Sequence, residues 1–124
     1  RWLKMEDVPR DELSEEPFIS YSKSSRTFRM IDSHFRREDV SLNVVAELGS
    51  MDAIKEFVAR ELGITILASW LVRREIAEKR LQTKSLGERS LKREWGFFWL
   101  QERRMSLAEE TFLQTCRDKV AENR

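Results

Sequence analysis

The stretch AELGSMDAIKEFV, residues 46–58, decides the fold. Its first three residues close the run LNVVAEL, which is β-branched at its centre and suits a strand. Gly49 and Ser50 interrupt that run, and from Met51 onward the period changes. Ile54, Val58 and Leu62 recur at helical spacing and line one face, while Gly63 stands where a left-handed residue often ends a helix. A strand thus passes through a two-residue bend directly into a helix.

The alternation continues in both directions. Toward the N-terminus, residues 18–21 are apolar at alternate positions and follow Pro17, which predicts a strand. The polar loop SKSS over 22–25 supplies N-cap residues, and Phe28, Ile31 and Phe35 then predict an amphipathic helix ending near Arg37. Toward the C-terminus, ITIL over 64–67 predicts a strand covered on both faces. Ser69 is placed to cap a third helix with Val72 and Ile76 inward and Arg73, Arg74 and Glu75 outward. A short strand over 81–86, a turn at Gly87 and an aromatic strand WGFFWL over 95–100 follow. Ser106 and Glu109 fit a capping box opening a last helix, with Phe112, Cys116 and Val120 on one side. Residues 1–16, acidic and containing Pro9, read as a linker ending in a short turn. The expected fold class is α/β, a mostly parallel Rossmann-like sheet flanked by helices.

Composition narrows the function classes. At 124 residues, 40% apolar and 36% charged, the chain suits one globular domain. No apolar run approaches the roughly 20 residues of a membrane span, and the first ten residues, RWLKMEDVPR, lack the apolar segment of a secretion signal. A cytoplasmic protein without a membrane partner is the expectation. A net charge of +1 argues against a dedicated nucleic-acid-binding module, although residues 73–104 hold ten basic and five acidic side chains. The single cysteine, Cys116, cannot form an internal disulfide and reads as a small buried hydrophobe.

Catalytic chemistry is poorly supplied. His34 is the only histidine and falls inside a helical pattern, so every histidine-based triad would have to be built around it. No CxxC, HExxH, GxSxG, P-loop or GxGxxG pattern occurs. Pairs such as Glu15 with Glu16 and Glu109 with Glu110 sit in polar surroundings that would not raise a carboxyl pKa. The expectation is no catalytic residue, no metal and no cofactor.

Binding chemistry is better supplied. Parallel α/β sheets collect ligands at the carboxyl ends of their strands, where helix starts present unpaired N–H groups. Residues 22–25 and 49–50 are the two bends of that kind. Gly49 permits close approach to the backbone, and Ser22, Ser24, Ser25 and Ser50 offer hydroxyls to a carboxylate or phosphate. Met51, the first helical residue after Ser50, is placed to project over whatever that bend holds. The same serines can serve as plain caps.

Three segments together, EEPFISYSKSSRTFRMID (15–32), VVAELGSMDAIKEFVARELGITILASWLV (44–72) and LKREWGFFWLQERRMSLAEETFLQTC (91–116), resemble the effector-binding region of LysR-type transcriptional regulators. The middle segment is the most specific. The resemblance implies the second lobe of a type 2 periplasmic-binding-protein-like domain over 14–92. It makes residues 1–13 a linker from the first lobe and 93–124 a strand and helix returning to it. It further implies a small organic effector, often a carboxylate, held between lobes by Ser22, Ser25, Gly49, Ser50 and Met51. DNA would be reached only through an N-terminal winged helix-turn-helix that nothing here resembles, and the assembly would be a homodimer or homotetramer. A transport solute-binding protein shares the architecture, as do some enzymes. Two positions depart from the family pattern: Ser24, where Gly is frequent, and Ala68, where Pro is frequent. With little of the first lobe present, Trp95, Phe97, Phe98 and Trp99 are expected to lack partners and to drive self-association.

Overall fold

The computed structural model describes residues 8–122 and divides into two units, residues 1–91 and 92–124. In the first unit the order is α1 (Arg10–Glu15), β1 (Pro17–Tyr21), α2 (Arg26–Arg36), β2 (Asn43–Leu48), α3 (Met51–Ala59), a 3-10 turn (Ser69–Leu71) and α4 (Arg73–Ala77). Strands β1 and β2 pair in parallel, Pro17 opposite Asn43 and Tyr21 opposite Leu48, with a register shift between Phe18 and Ile19 that leaves Val45 of β2 unmatched. The unit is α/β with parallel pairing, as expected, but among the described residues its sheet has two strands and not more.

Strand β1 is the hub. Phe18, Ile19 and Ser20 are all buried, and because successive side chains face opposite sides, both faces of the strand are covered. Phe18 packs with Val8, Leu13, Ile31, Phe35 and Val40 in the main core cluster. Helix α3, whose Ile54 is buried, also packs on β1. Strand β2 is an edge, half-buried only at Val44, Ala46 and Leu48.

The local signal for the start of α2 holds. Ser25 Oγ accepts from Phe28 N–H at 3.0 Å and caps α2, whose Ile31 and Phe35 are buried. The segment 1–16, expected as a linker and turn, instead carries α1, because Leu13 gains burial in the core cluster. Of that segment, residues 1–7 lie outside the described residues.

The expected strand over 64–67 is reduced to one parallel bridge, Phe18 with Ile64. Ile64 N–H donates to Pro17 O and Ile19 N–H to Ile64 O, each at 2.8 Å. At the next position it is the Thr65 hydroxyl, and not a ladder amide, that donates to Ile19 O, at 2.8 Å. Gly63 is likewise required for another reason than expected. The left-handed residue after α3 is Glu61, at φ 60°, and α3 ends at Ala59, leaving Leu62 exposed. At Gly63 a Cβ would lie 2.4 Å from Pro17 O, so only glycine lets this segment reach β1.

Farther along, Ser69 does not cap a helix; Ala68 precedes the 3-10 turn, and α4 begins after Val72 without a side-chain cap. Val72 is buried but Ile76 is exposed, and Glu75, expected outward, is only 4% exposed. Residues 81–86 form no strand with the described residues, although Leu81 is buried and Gly87 turns at φ 63° as anticipated.

In the second unit, residues 95–100 form no strand either. Trp95, Phe97, Phe98, Trp99 and Leu100 are exposed, Phe98 at 98%. Helix α5 (Leu107–Glu122) opens with the expected capping box: Ser106 N–H donates to Glu109 Oε2 at 2.8 Å and Glu109 N–H to Ser106 Oγ at 3.3 Å. The Ser106 N–H and then the Ser106 hydroxyl, which donates to Glu109 Oε2 at 3.0 Å, with Arg103 beside the carboxylate, hold Glu109 below the usual carboxylate range. Phe112 meets Phe97 edge to face at 6.0 Å but stays exposed, as does Val120, and Cys116 is half-buried rather than enclosed.

Gly63→Ala is expected to destabilise the first unit by about 1–3 kcal/mol, since either the new methyl or Pro17 must move. The check is a urea unfolding midpoint, and an unchanged midpoint would contradict the close approach.

Candidate functional site

The register of the sheet positions the two bends. Tyr21 and Leu48 are paired terminal residues of β1 and β2, so the chain leaves both strands at the same rim, about 5 Å apart. Residues 22–25 and 49–50 follow immediately, and each runs into the start of a helix. None of the six expected ligand residues is sealed. Ser24, Gly49 and Ser50 are exposed, while Ser22, Ser25 and Met51 are half-buried.

Within the first bend Ser25 N–H donates to Ser22 O at 2.8 Å, and the Ser22 and Ser24 hydroxyls lie 2.8 Å apart. In the second, Ser50 Oγ accepts from Ala53 N–H at 3.5 Å, and open space surrounds Gly49 where a Cβ would be. Ser25 and Ser50 therefore do act as caps. Capping uses an oxygen lone pair, which leaves each hydroxyl hydrogen free to donate. Lys23 and Arg26, both exposed, bring positive charge to the first bend, and Asp52 brings negative charge to the second.

A charge network fixes the start of α3. Lys55 Nζ donates to Glu75 Oε1 at 2.7 Å and lies 3.1 Å from Asp52 Oδ1. Glu56 accepts from Arg60 at 2.9 Å and from Arg80 at 2.7 Å. Asp52, Lys55, Glu56, Ala59, Arg74, Glu75 and Arg80 line a cavity of about 130 Å³. Three acids and three bases face it, and each base has a carboxylate within 4.0 Å, so the cavity holds no uncompensated charge. The hydrogen bond from Lys55, then one from the backbone, holds Glu75 below its ordinary pKa; the bonds to Glu75 and Asp52 raise that of Lys55. Arg60 lowers Glu56. The spacing of Asp52 and Lys55 is legible in sequence, but the partnership with Glu75, twenty residues away, is not.

His34 lies on α2, away from both bends in sequence. Its Nε2 is buried without a hydrogen-bond partner, 3.9 Å from Glu38 Oε1, and its ring meets the edge of Phe35 at 5.1 Å. Among the described residues no group of three or more His, Cys, Asp or Glu is arranged to hold a metal, and no helix is long and apolar enough to cross a membrane.

The fold defines a parallel α/β unit with two helix starts on one rim, and comparison makes the assignment specific. The model of the LysR substrate binding domain matches residues 1–121, so the chain belongs to that family. It is 30% identical over 108 residues to the RuBisCO operon transcriptional regulator of Acidithiobacillus ferrooxidans, covering 87% of this chain and 35% of that protein. It is 26% identical over 111 residues to the HTH-type transcriptional activator CmpR of Synechocystis sp., covering 90% of this chain and 36% of that protein. The chain spans about a third of the length of these relatives.

Glu75 carries the pH prediction. Its pKa is depressed in the fold, so its contribution is present above the unfolded value of about 4.3 and is lost as pH falls through the lower folded value. Lys55 is raised, so its share is full below about 10.4 and is lost only as pH climbs through the folded value. Glu75→Gln is expected to flatten the acid limb of thermal midpoint against pH below about 4.3. Equal acid slopes in both proteins would contradict the buried pair.

Proposed function

We propose that this chain is the effector-sensing portion of a LysR-type transcriptional regulator and holds a small organic anion at the rim formed by Ser22, Ser24, Ser25, Gly49, Ser50 and Met51. The observation that carries the reading is the pairing of Tyr21 with Leu48, which sends both serine-bearing bends out at one edge of the sheet. Two helix starts there offer N–H groups and the positive ends of two helix dipoles, and the serine hydroxyls add donors with no carboxylate among them. Family membership and two relatives named as transcriptional regulators support the regulatory role.

In this reading residues 14–92 form the second lobe of a bilobal, type 2 periplasmic-binding-protein-like domain, residues 1–13 lead in from the first lobe, and residues 93–124 return to it. The break between residues 91 and 92 supports that division. Effector binding shifts the balance between lobe arrangements, and the chain performs no reaction of its own. Sequence-specific DNA contact belongs to a winged helix-turn-helix outside this chain, and the regulator works in the cytoplasm as a homodimer or homotetramer.

A panel of small organic acids screened by thermal shift tests the reading, since a ligand that binds only the folded state raises the midpoint with its concentration. At least one acid is expected to raise it, and no response across the panel would contradict an anion sensor. For a responding acid, Ser50→Gly is expected to weaken calorimetric affinity by about 1–3 kcal/mol, because a ligand oxygen loses its donor. The loss of the cap itself costs only a few tenths of a kcal/mol. Unaltered affinity would remove Ser50 from the site.

The exposed aromatic side chains of residues 95–99 support association of the chain. Sedimentation at micromolar concentration is expected to show species larger than the monomer, and a monodisperse monomer would contradict it.

A further inference from the structure

The second bend carries a charge that an anion sensor has to manage. Asp52 is the second residue of α3, directly after Ser50 and Met51, and its side chain is 89% exposed. Beside it stand the open amides of the helix start. Ala53 N–H donates to Ser50 Oγ and Ile54 N–H to Ser50 O, whereas Met51 and Asp52 N–H have no partner among the described residues. A carboxylate in that place either takes up such amides itself or repels the anion that would.

Asp52 does not take them up. Its partner is Lys55, one turn farther along α3, with Nζ 3.1 Å from Asp52 Oδ1. A surface pair at that spacing is ordinarily solvated and worth little. This one is anchored, because Lys55 is largely buried and donates at 2.7 Å to Glu75 Oε1 of α4, which is more deeply enclosed still. The bond to Glu75 raises Lys55 and lowers Glu75, so both stay charged through neutral pH. One ammonium thus serves two carboxylates, and its place is set by the buried one.

Resting on the reading of this rim as an anion site, we propose that Lys55 is a positioning residue for the effector. Anchored on Glu75, it holds the Asp52 carboxylate toward α4 and offsets its charge, which leaves the first amides of α3 open to an anionic group. Asp52 and Lys55 together then set how much negative charge the second bend accepts.

The test is a titration of inorganic sulfate into the isotopically labelled chain at constant ionic strength, followed by NMR at the amides of residues 50–53. In the parent these amides are expected to shift saturably; no saturable shift would overturn the rim as an anion site and the role of Lys55 with it. Lys55→Gln, which keeps a donor for Glu75 but drops the charge, is expected to bind sulfate at least about threefold more weakly than the parent. Adding Asp52→Asn to that variant restores the balance of charge and is expected to return affinity to within about twofold of the parent, which a merely structural role would not do. Lys55→Arg, with its charge kept, is expected to stay within about twofold of the parent. Thermal melts verify folding. Should Lys55→Gln fail to fold, Asp52→Asn alone replaces it and is expected to bind at least about twofold more tightly. With the parent binding sulfate, unchanged affinity in Lys55→Gln or in its replacement, no recovery in the double variant, or an equal loss in Lys55→Arg would each overturn the role of Lys55 and leave the rim standing.

Discussion

The first unit depends on how closely three stretches of backbone approach one another at β1. On one side β1 pairs with β2; on the other, Pro17 O and Ile19 N–H exchange hydrogen bonds with Ile64. Both sides of the strand are thereby satisfied, which a buried strand requires, because an unpaired amide inside a core costs roughly 1–3 kcal/mol. Gly63 is the condition for the second side, and Thr65 ends it with a hydroxyl in place of an amide. The core residues on either face, Phe18 and Ile19, are placed by this pairing.

From that hub the candidate site follows geometrically. Parallel strands point the same way, so the bends after β1 and β2 share an edge, and the helices that begin there share a direction of approach. The Lys55 and Glu75 pair fixes the first turns of α3 against α4 and so holds the second bend in place. The pair is enclosed yet compensated, and depressed acidity at Glu75 together with raised basicity at Lys55 reflects the same hydrogen bond.

The rim and the second unit differ in surface chemistry: the rim carries small residues, some of them half-buried, whereas the second unit exposes large aromatic side chains while its helix is held locally by Ser106 and Glu109.

Sequence alone determined what short-range chemistry decides. The cap at Ser25, the bend at Gly49 and Ser50 and the capping box at Ser106 each need partners only three or four residues away, and all are present. Tertiary structure decided what needs a distant partner. Residues 64–67, 81–86 and 95–100 all carry strand-like composition, but a strand exists only where another backbone pairs with it, and among the described residues only Ile64 of these segments finds one. Gly63 is dictated by Pro17, and Glu75 is buried because Lys55 reaches it across twenty residues, neither of which any local period encodes. The shared rim of the two bends belongs to the same class, since it rests on Tyr21 meeting Leu48, a register fixed by packing on both sheet faces rather than by either segment.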